Sequence, residues 1–224
     1  MRKAAEEVSQ MQSELSKDLT VAGAKIRFDE QCKRVLSNKE ILAWILKNAT
    51  EEFAEFSLDQ IERCIEENPE VAAVGADPGE TNRKIMGINT EDRVPGESCV
   101  TFDIRFLTFI PRMVQRIKLI INVEAQQKFY PGYDLTTRGV FYGGRMLSAQ
   151  KGVEFTGDNY DGLKKVYSIW ICMDTPDHIG NAMAKYEIKK TDIWEGFPDK
   201  KESYDKMTVV MIGLNEKKKS PNVQ

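Results

Sequence analysis

The stretch VTFDIRFLTFIPRMVQRIKLIINVEAQ, from Val100 to Gln126, decides the fold. Two apolar runs, residues 100–110 and 117–126, flank the polar segment 111–115. Such an arrangement reads as an antiparallel hairpin with its turn centred near Met113 and Val114. Side chains alternate between the two faces of a strand. One face carries Val100, Phe102, Ile104, Phe106 and Ile110, matched by Ala125, Val123, Ile121, Leu119 and Ile117. That face is apolar and reads as core. The other carries Thr101, Asp103 and Arg105 against Gln126, Glu124 and Asn122, and turns apolar again near the turn, at Leu107, Phe109 and Ile120.

This register sets Asp103 opposite Glu124. Directly opposed side chains have Cβ atoms roughly 4.5–5.5 Å apart, and like charges there are destabilising. A fold that keeps such a pair has a use for it, most simply a divalent cation. The alternative is an ordinary half-exposed hairpin with a chance acidic pair. A register slip of one residue would send the two carboxylates to opposite faces.

The flanking chain predicts a mixed α/β or α+β domain built on a central sheet with helices around it. Ser37 and Glu40 have capping-box spacing, and Ile41, Trp44, Ile45, Ala49, Phe53 and Phe56 follow at helical intervals. Ser57 and Gln60 repeat the box for a short helix through Glu67, ended by Asn68-Pro69. Segment 71–89 reads mostly as loop, with a short strand at 83–88. After the hairpin comes the tight turn Tyr130-Pro131-Gly132-Tyr133. Asp134 then caps a helix running to Lys151, with Gly152 as its stop. Gly139 and Gly143 on that helix allow close approach to a sheet or to a substrate backbone, with plain helix–sheet packing the favoured reading. Residues 166–173 form a continuous apolar run, as in a central buried strand. Residues 186–190 and 208–214 read as further strands.

Composition narrows the chemistry. The chain has 224 residues, 41% hydrophobic and 30% charged, with a net charge of −3. This suits one sizeable domain (37–216) between an N-terminal helical arm (1–36) and a disordered basic tail (217–224). No run is long enough for a membrane span and no signal pattern leads the chain, so a cytoplasmic protein is expected. Cys32, Cys64, Cys99 and Cys172 lack paired spacing and read as reduced, buried thiols. His178 is the single histidine. That excludes chemistry built on a histidine pair, and its setting, Asp174-Thr175-Pro176-Asp177-His178, reads as a surface turn. The acidic balance excludes a broad basic field for coating nucleic acid. Contact with nucleic acid would be local, at Arg138, Arg145 and Lys151, at Lys164-Lys165, or along Lys217-Lys218-Lys219.

An Asp on one strand and Glu-x-Gln on the next, followed by a helix and a central strand, resembles the PD-(D/E)XK nuclease superfamily. Four longer stretches carry the likeness further. They are Phe102-Asp103-Ile104-Arg105, Ile121-Asn122-Val123-Glu124-Ala125-Gln126, Tyr130-Pro131-Gly132-Tyr133 and Arg138-Gly139-Val140-Phe141-Tyr142-Gly143. Together they resemble the bacterial PD-(D/E)XK nuclease family transposases, a group similar to the recombination-promoting nucleases. The resemblance spans 37–216.

It implies a restriction-endonuclease-like sheet and a Mg²⁺- or Mn²⁺-dependent DNA endonuclease of mobile-element type. Asp103, Glu124 and the backbone carbonyl of Ala125 would hold the cation, with Gln126 among the catalytic residues. Glu91 is the matched candidate for a third acid, with Glu52 behind it. Arg138, Tyr142 and Arg145 would contact DNA. Arg138 and Tyr142 lie four residues apart, hence on one helix face. Gln126 departs from the superfamily's lysine. A neutral amide orients water or phosphate by hydrogen bonds but supplies no positive charge; Arg138 or Lys128 is placed to restore it. A second class of function stays open: a weak or inactive nuclease fold that binds DNA or a protein. Symmetric double-strand cutting would also require a homodimer.

Overall fold

The computed structural model describes residues 31–32, 35–36, 38–65, 70–71, 91–92, 100–101, 103–111 and 116–215. The expected arm, apart from a few helical residues at 31–36, and the basic tail lie outside this set, as do the strand expected at 83–88, the hairpin turn at 112–115, Ser37 and Cys99. Among the described residues, no helix is long and apolar enough to cross a membrane.

The hairpin forms in the expected register. Strand β4 (Ile104–Pro111) pairs antiparallel with β5 (Arg116–Lys128), from Ile104 opposite Val123 to Pro111 opposite Arg116. At its start the expected single strand divides. Val100–Thr101 (β3) pairs instead with Glu91–Asp92 (β2) in a separate two-stranded sheet. Beside this boundary the Asp103 carboxylate accepts the Ala125 N–H.

Strand β6 (Lys165–Asp174) holds the apolar run and lies parallel to both β5 and β8 (Met207–Gly213). Burial on both faces explains its unbroken hydrophobicity. The edges are β1 (Glu70–Val71) beside β4, and β7 (Ala182–Glu187) antiparallel to β8. The six-stranded order is β1-β4-β5-β6-β8-β7. The last edge strand lies earlier than the expected 186–190. Its pairing with β8 ends at Glu187 opposite Thr208. Its side chains are mostly exposed, so burial leaves little contrast in that sequence.

Helices cover both faces of the sheet, giving a mixed-sheet α+β domain. On one face pack α1 (Lys39–Ala49) and α2 (Leu58–Cys64), burying Leu42, Leu46 and Ile61 against Ile104, Phe106, Val123 and Ile169. Asn38, one residue past the expected cap, accepts from the Glu40 N–H and starts α1. That helix stops at Ala49, so Phe53 is buried from the following turn and not from the helix. The Ser57–Gln60 capping box is present, and α2 ends at Cys64, short of Glu67. Beyond it Ile65 bridges to Thr108 of β4, whose hydroxyl donates to the Cys64 carbonyl at 3.1 Å.

The opposite face is covered by α3 (Leu135–Ser148), capped by Asp134 accepting from the Thr136 N–H. It packs Leu135, Tyr142 and Met146 on Trp170, Cys172 and Val209. Gly139 is what permits this approach. A Cβ there would lie 2.7 Å from Val209 Cγ1 and 2.9 Å from Met211 Cε. At Gly143 the neighbour is the flexible Met207 side chain, and at Gly144 there is open space. Helix–sheet packing therefore accounts for the two spaced glycines. The structure orders three alanine substitutions, readable from denaturant midpoints. Gly139→Ala should destabilise by about 1–3 kcal/mol through overpacking. Gly143→Ala should cost less. Gly144→Ala should stabilise by up to ~1 kcal/mol, from helix propensity alone.

Candidate active site

The polar cluster lies on the α3 face, at the end of the hairpin away from its turn. Alternation sends Asp103 and Arg105 of the β4 side, Asn122, Glu124 and Gln126 of β5, and Ser168 and Trp170 of β6 to this face. Glu124 is the ladder partner of Trp170, and Asn122 of Ser168. The two acids meet through reciprocal backbone contacts. The Asp103 N–H donates to Glu124 Oε1 at 3.0 Å, and the Ala125 N–H donates to Asp103 Oδ2 at 3.0 Å. Each carboxylate is thus fixed by the backbone of the other strand.

Glu124 is buried, with 4% of its surface exposed. Burial is the largest influence on its pKa and the Asp103 charge the next; together they raise it from 4.5 to about 8. The Asp103 backbone N–H, the Asn122 amide and the Arg138 charge pull the other way. Asn122 lies fully buried beside Glu124, yet neither Oδ1 nor Nδ2 meets a partner with full hydrogen-bond geometry. The Asn122 amide thus faces the Glu124 carboxylate from the neighbouring position on the same face of β5.

Arg138 overhangs this cluster from the first turns of α3. Its guanidinium donates to the Tyr133 hydroxyl at 2.6 Å and to the Tyr142 hydroxyl at 2.8 Å. It lies 5.0 Å from the ring centres of both Tyr142 and Trp170, within cation–π range. Burial pushes the Tyr142 hydroxyl pKa upward, partly offset by Arg138, and the charges of Glu124 and Asp103 push it further. Tyr142 thus packs in the core and also holds the guanidinium over the acids.

The other candidate residues are placed as follows. Gln126 shares the Glu124 face and donates to the Lys128 carbonyl at 3.1 Å. The Ala125 side chain packs on the opposite, α1–α2 face. Glu91 pairs through its backbone with Thr101, two residues before Asp103, and its side chain lies outside the described set. The remaining candidates are Arg145, Glu52 and Lys165. Arg145 follows Tyr142 by three residues and is largely buried, with 9% of its surface exposed. Glu52 belongs to the other face, where it accepts from the Tyr167 hydroxyl and pairs with Lys165 Nζ at 2.9 Å. Lys165 also pairs with Asp205 at 2.8 Å, which removes it from the proposed Lys164-Lys165 surface patch. His178 is exposed in its turn, and Cys32, Cys64 and Cys172 are buried thiols.

Sequence reasoning assigned no role to Asn122, Tyr133 or Trp170. The Tyr133 signal was present in the Tyr130–Tyr133 turn just before the helix. Trp170 is marked only by its register against Glu124, which a parallel pairing does not write into the sequence.

Two hard-oxygen carboxylates suit Mg²⁺ or Mn²⁺, which commonly take one or two protein carboxylates and keep several waters. Among the described residues, no group of three or more His, Cys, Asp or Glu side chains gathers to hold a metal. Any cation here would therefore be held mainly by this pair and water.

The raised Glu124 pKa fixes the sign of a pH effect. The metal-free fold keeps a proton that the unfolded chain releases above about pH 4.5. That contribution is complete below pH 4.5 and is lost as pH rises toward about 8. Over that window Glu124 should lower stability by up to ~1.4 kcal/mol per pH unit. Urea melts in chelator should show this slope in the wild type and a flatter one in Glu124→Gln. Equal slopes would show that Glu124 titrates normally.

No family model matches the chain, and neither a curated protein nor a solved structure matches it.

Proposed function

We propose that the protein is a divalent-metal-dependent DNA endonuclease of the kind its motifs resemble, using Asp103 and Glu124 to hold Mg²⁺ or Mn²⁺. The reading is carried by one observation: two acids from neighbouring segments are each anchored on the other's backbone, near enough to the Arg138 guanidinium for Glu124 to feel its charge. Asp103 and Glu124 would hold the cation, which, when bound, would lower the pKa of a water and offset charge on the phosphoryl oxygens. The remaining work belongs to the chain. Glu124 gives up its proton on loading, so affinity for the cation rises with pH. Arg138 meets the phosphate oxygens as they gain charge. Tyr133, Tyr142 and Trp170 hold that guanidinium in place, so little ordering remains to be done during reaction. Arg138 thereby supplies the positive charge that Gln126 lacks. Gln126 orients the water or a phosphate oxygen by hydrogen bonding.

A second reading, a nuclease fold that binds DNA without cutting it, draws on the deep burial of Glu124 and its preference for the neutral form. Nicking of supercoiled plasmid separates the two. With Mn²⁺ or Mg²⁺ the wild type should nick, and chelator should abolish the reaction. Asp103→Asn and Glu124→Gln should each reduce the rate at least ~100-fold. Arg138→Ala should lose roughly 100–1,000-fold, as when one transition-state donor is removed. No metal-dependent nicking by folded wild type would favour the binding reading. Equal nicking by wild type and both carboxylate variants would reject the assignment.

A further inference from the structure

A concave feature lies on the same face of the sheet as the acids. It is a cavity of about 600 Å³ between the start of α3 and the edge strand β7. That volume lies within the range of small-ligand sites. Its walls carry Phe129, Tyr130, Tyr133 and Tyr186, with Met211 beside them. The three tyrosines are exposed, at 66%, 50% and 43%. Asp134 is the one charged side chain among the lining residues.

Two contacts join this cavity to the acidic site. Tyr133 lines the cavity and accepts the Arg138 hydrogen bond with its hydroxyl. Cys172, also in the lining, is the β6 ladder partner of Gln126. A phosphate held by Arg138 would therefore sit one side chain away from an aromatic chamber. In a polynucleotide, the group attached at that distance is a nucleobase.

We infer that the cavity takes an unstacked nucleobase next to the phosphate under attack, and that the preferred substrate is single-stranded or locally unpaired DNA. The inference rests on the nuclease reading of the acidic site. Bases from a duplex would have to leave the stack and lose their pairing, whereas unpaired strands carry no such penalty. Aromatic walls recompense any base through its π-face. The Asp134 carboxylate adds a preference. It accepts hydrogen bonds and so favours a base with an exocyclic amino group over thymine. Its Oδ1 already accepts from the Thr136 N–H, which fixes its orientation.

The test is fluorescence anisotropy with dye-labelled oligonucleotides, in Ca²⁺ to hold back cleavage. The probes are a short oligo-dC, an oligo-dT, an oligo-dC containing abasic sites, and a duplex. Wild type should bind oligo-dC roughly tenfold or more tightly than the abasic strand and the duplex, with oligo-dT between them. Ala184→Leu places bulk in the cavity from an exposed position on the edge strand, so folding should survive. It should weaken oligo-dC binding by a similar factor and leave the abasic strand unchanged. Tyr186→Ala should do the same more mildly. Equal affinity for intact and abasic strands overturns the inference, as does insensitivity to both substitutions. Melting shifts with free aromatic compounds but none with oligonucleotides would also overturn it, and would assign the chamber to a small molecule. If the wild type still nicks plasmid with metal in any of these cases, the nuclease reading stands and only the base pocket falls.

Discussion

Two hydrogen bonds, from the Asp103 N–H to Glu124 and from the Ala125 N–H to Asp103, hold the acidic end of the hairpin together. Without them, two carboxylates on adjacent strands would repel and turn away from one another. The exchange lies at the strand boundary: β4 begins at Ile104, and Val100–Thr101 pair in a different sheet. One pair of contacts therefore marks where the acids converge.

Placing a carboxylate at that depth is costly, because a buried charge loses its hydration. The fold reduces the cost in three ways. Glu124 takes up a proton more readily than a solvated acid, a backbone N–H meets its oxygen, and the Arg138 charge acts on it. Arg138 is itself restrained by two phenol hydroxyls and two ring faces. The close seating of α3 that brings it there depends on Gly139, where a side chain would strike Val209 and Met211. Helix packing and site electrostatics are thus one problem: a helix held further from the sheet would lift the guanidinium from the acids.

Much of this was legible in the sequence because the hairpin carries both a period of two and a polar interruption. Alternation from Ile104 to Ile110 and from Ile117 to Val123 admits a register that gathers Ile104, Phe106 and Ile110 with Leu119, Ile121 and Val123 on one face, and that register sets Asp103 opposite Glu124. The capping box at Ser57 and the cap at Asp134 were equally readable, since their chemistry is local. What stayed hidden was non-local. The parallel neighbours of β5 and β6 are joined through a helix, so the meeting of Trp170 with Glu124 has no sequence signature. Arg145 and Lys165 look like surface cations in the sequence; helix phase buries one, and Glu52 and Asp205 claim the other. The weak edge strand β7 was misplaced because its two faces hardly differ in exposure.

The central claim is that Asp103 and Glu124 converge to hold one divalent cation, and calorimetric titration with Mn²⁺ tests it most directly. The account predicts one site per chain, affinity that rises between about pH 6 and pH 8 as Glu124 gives up its proton, and loss of that site in Asp103→Asn and in Glu124→Gln. Folded wild type that takes up no Mn²⁺ across this range, or binding that both substitutions leave intact, would contradict it.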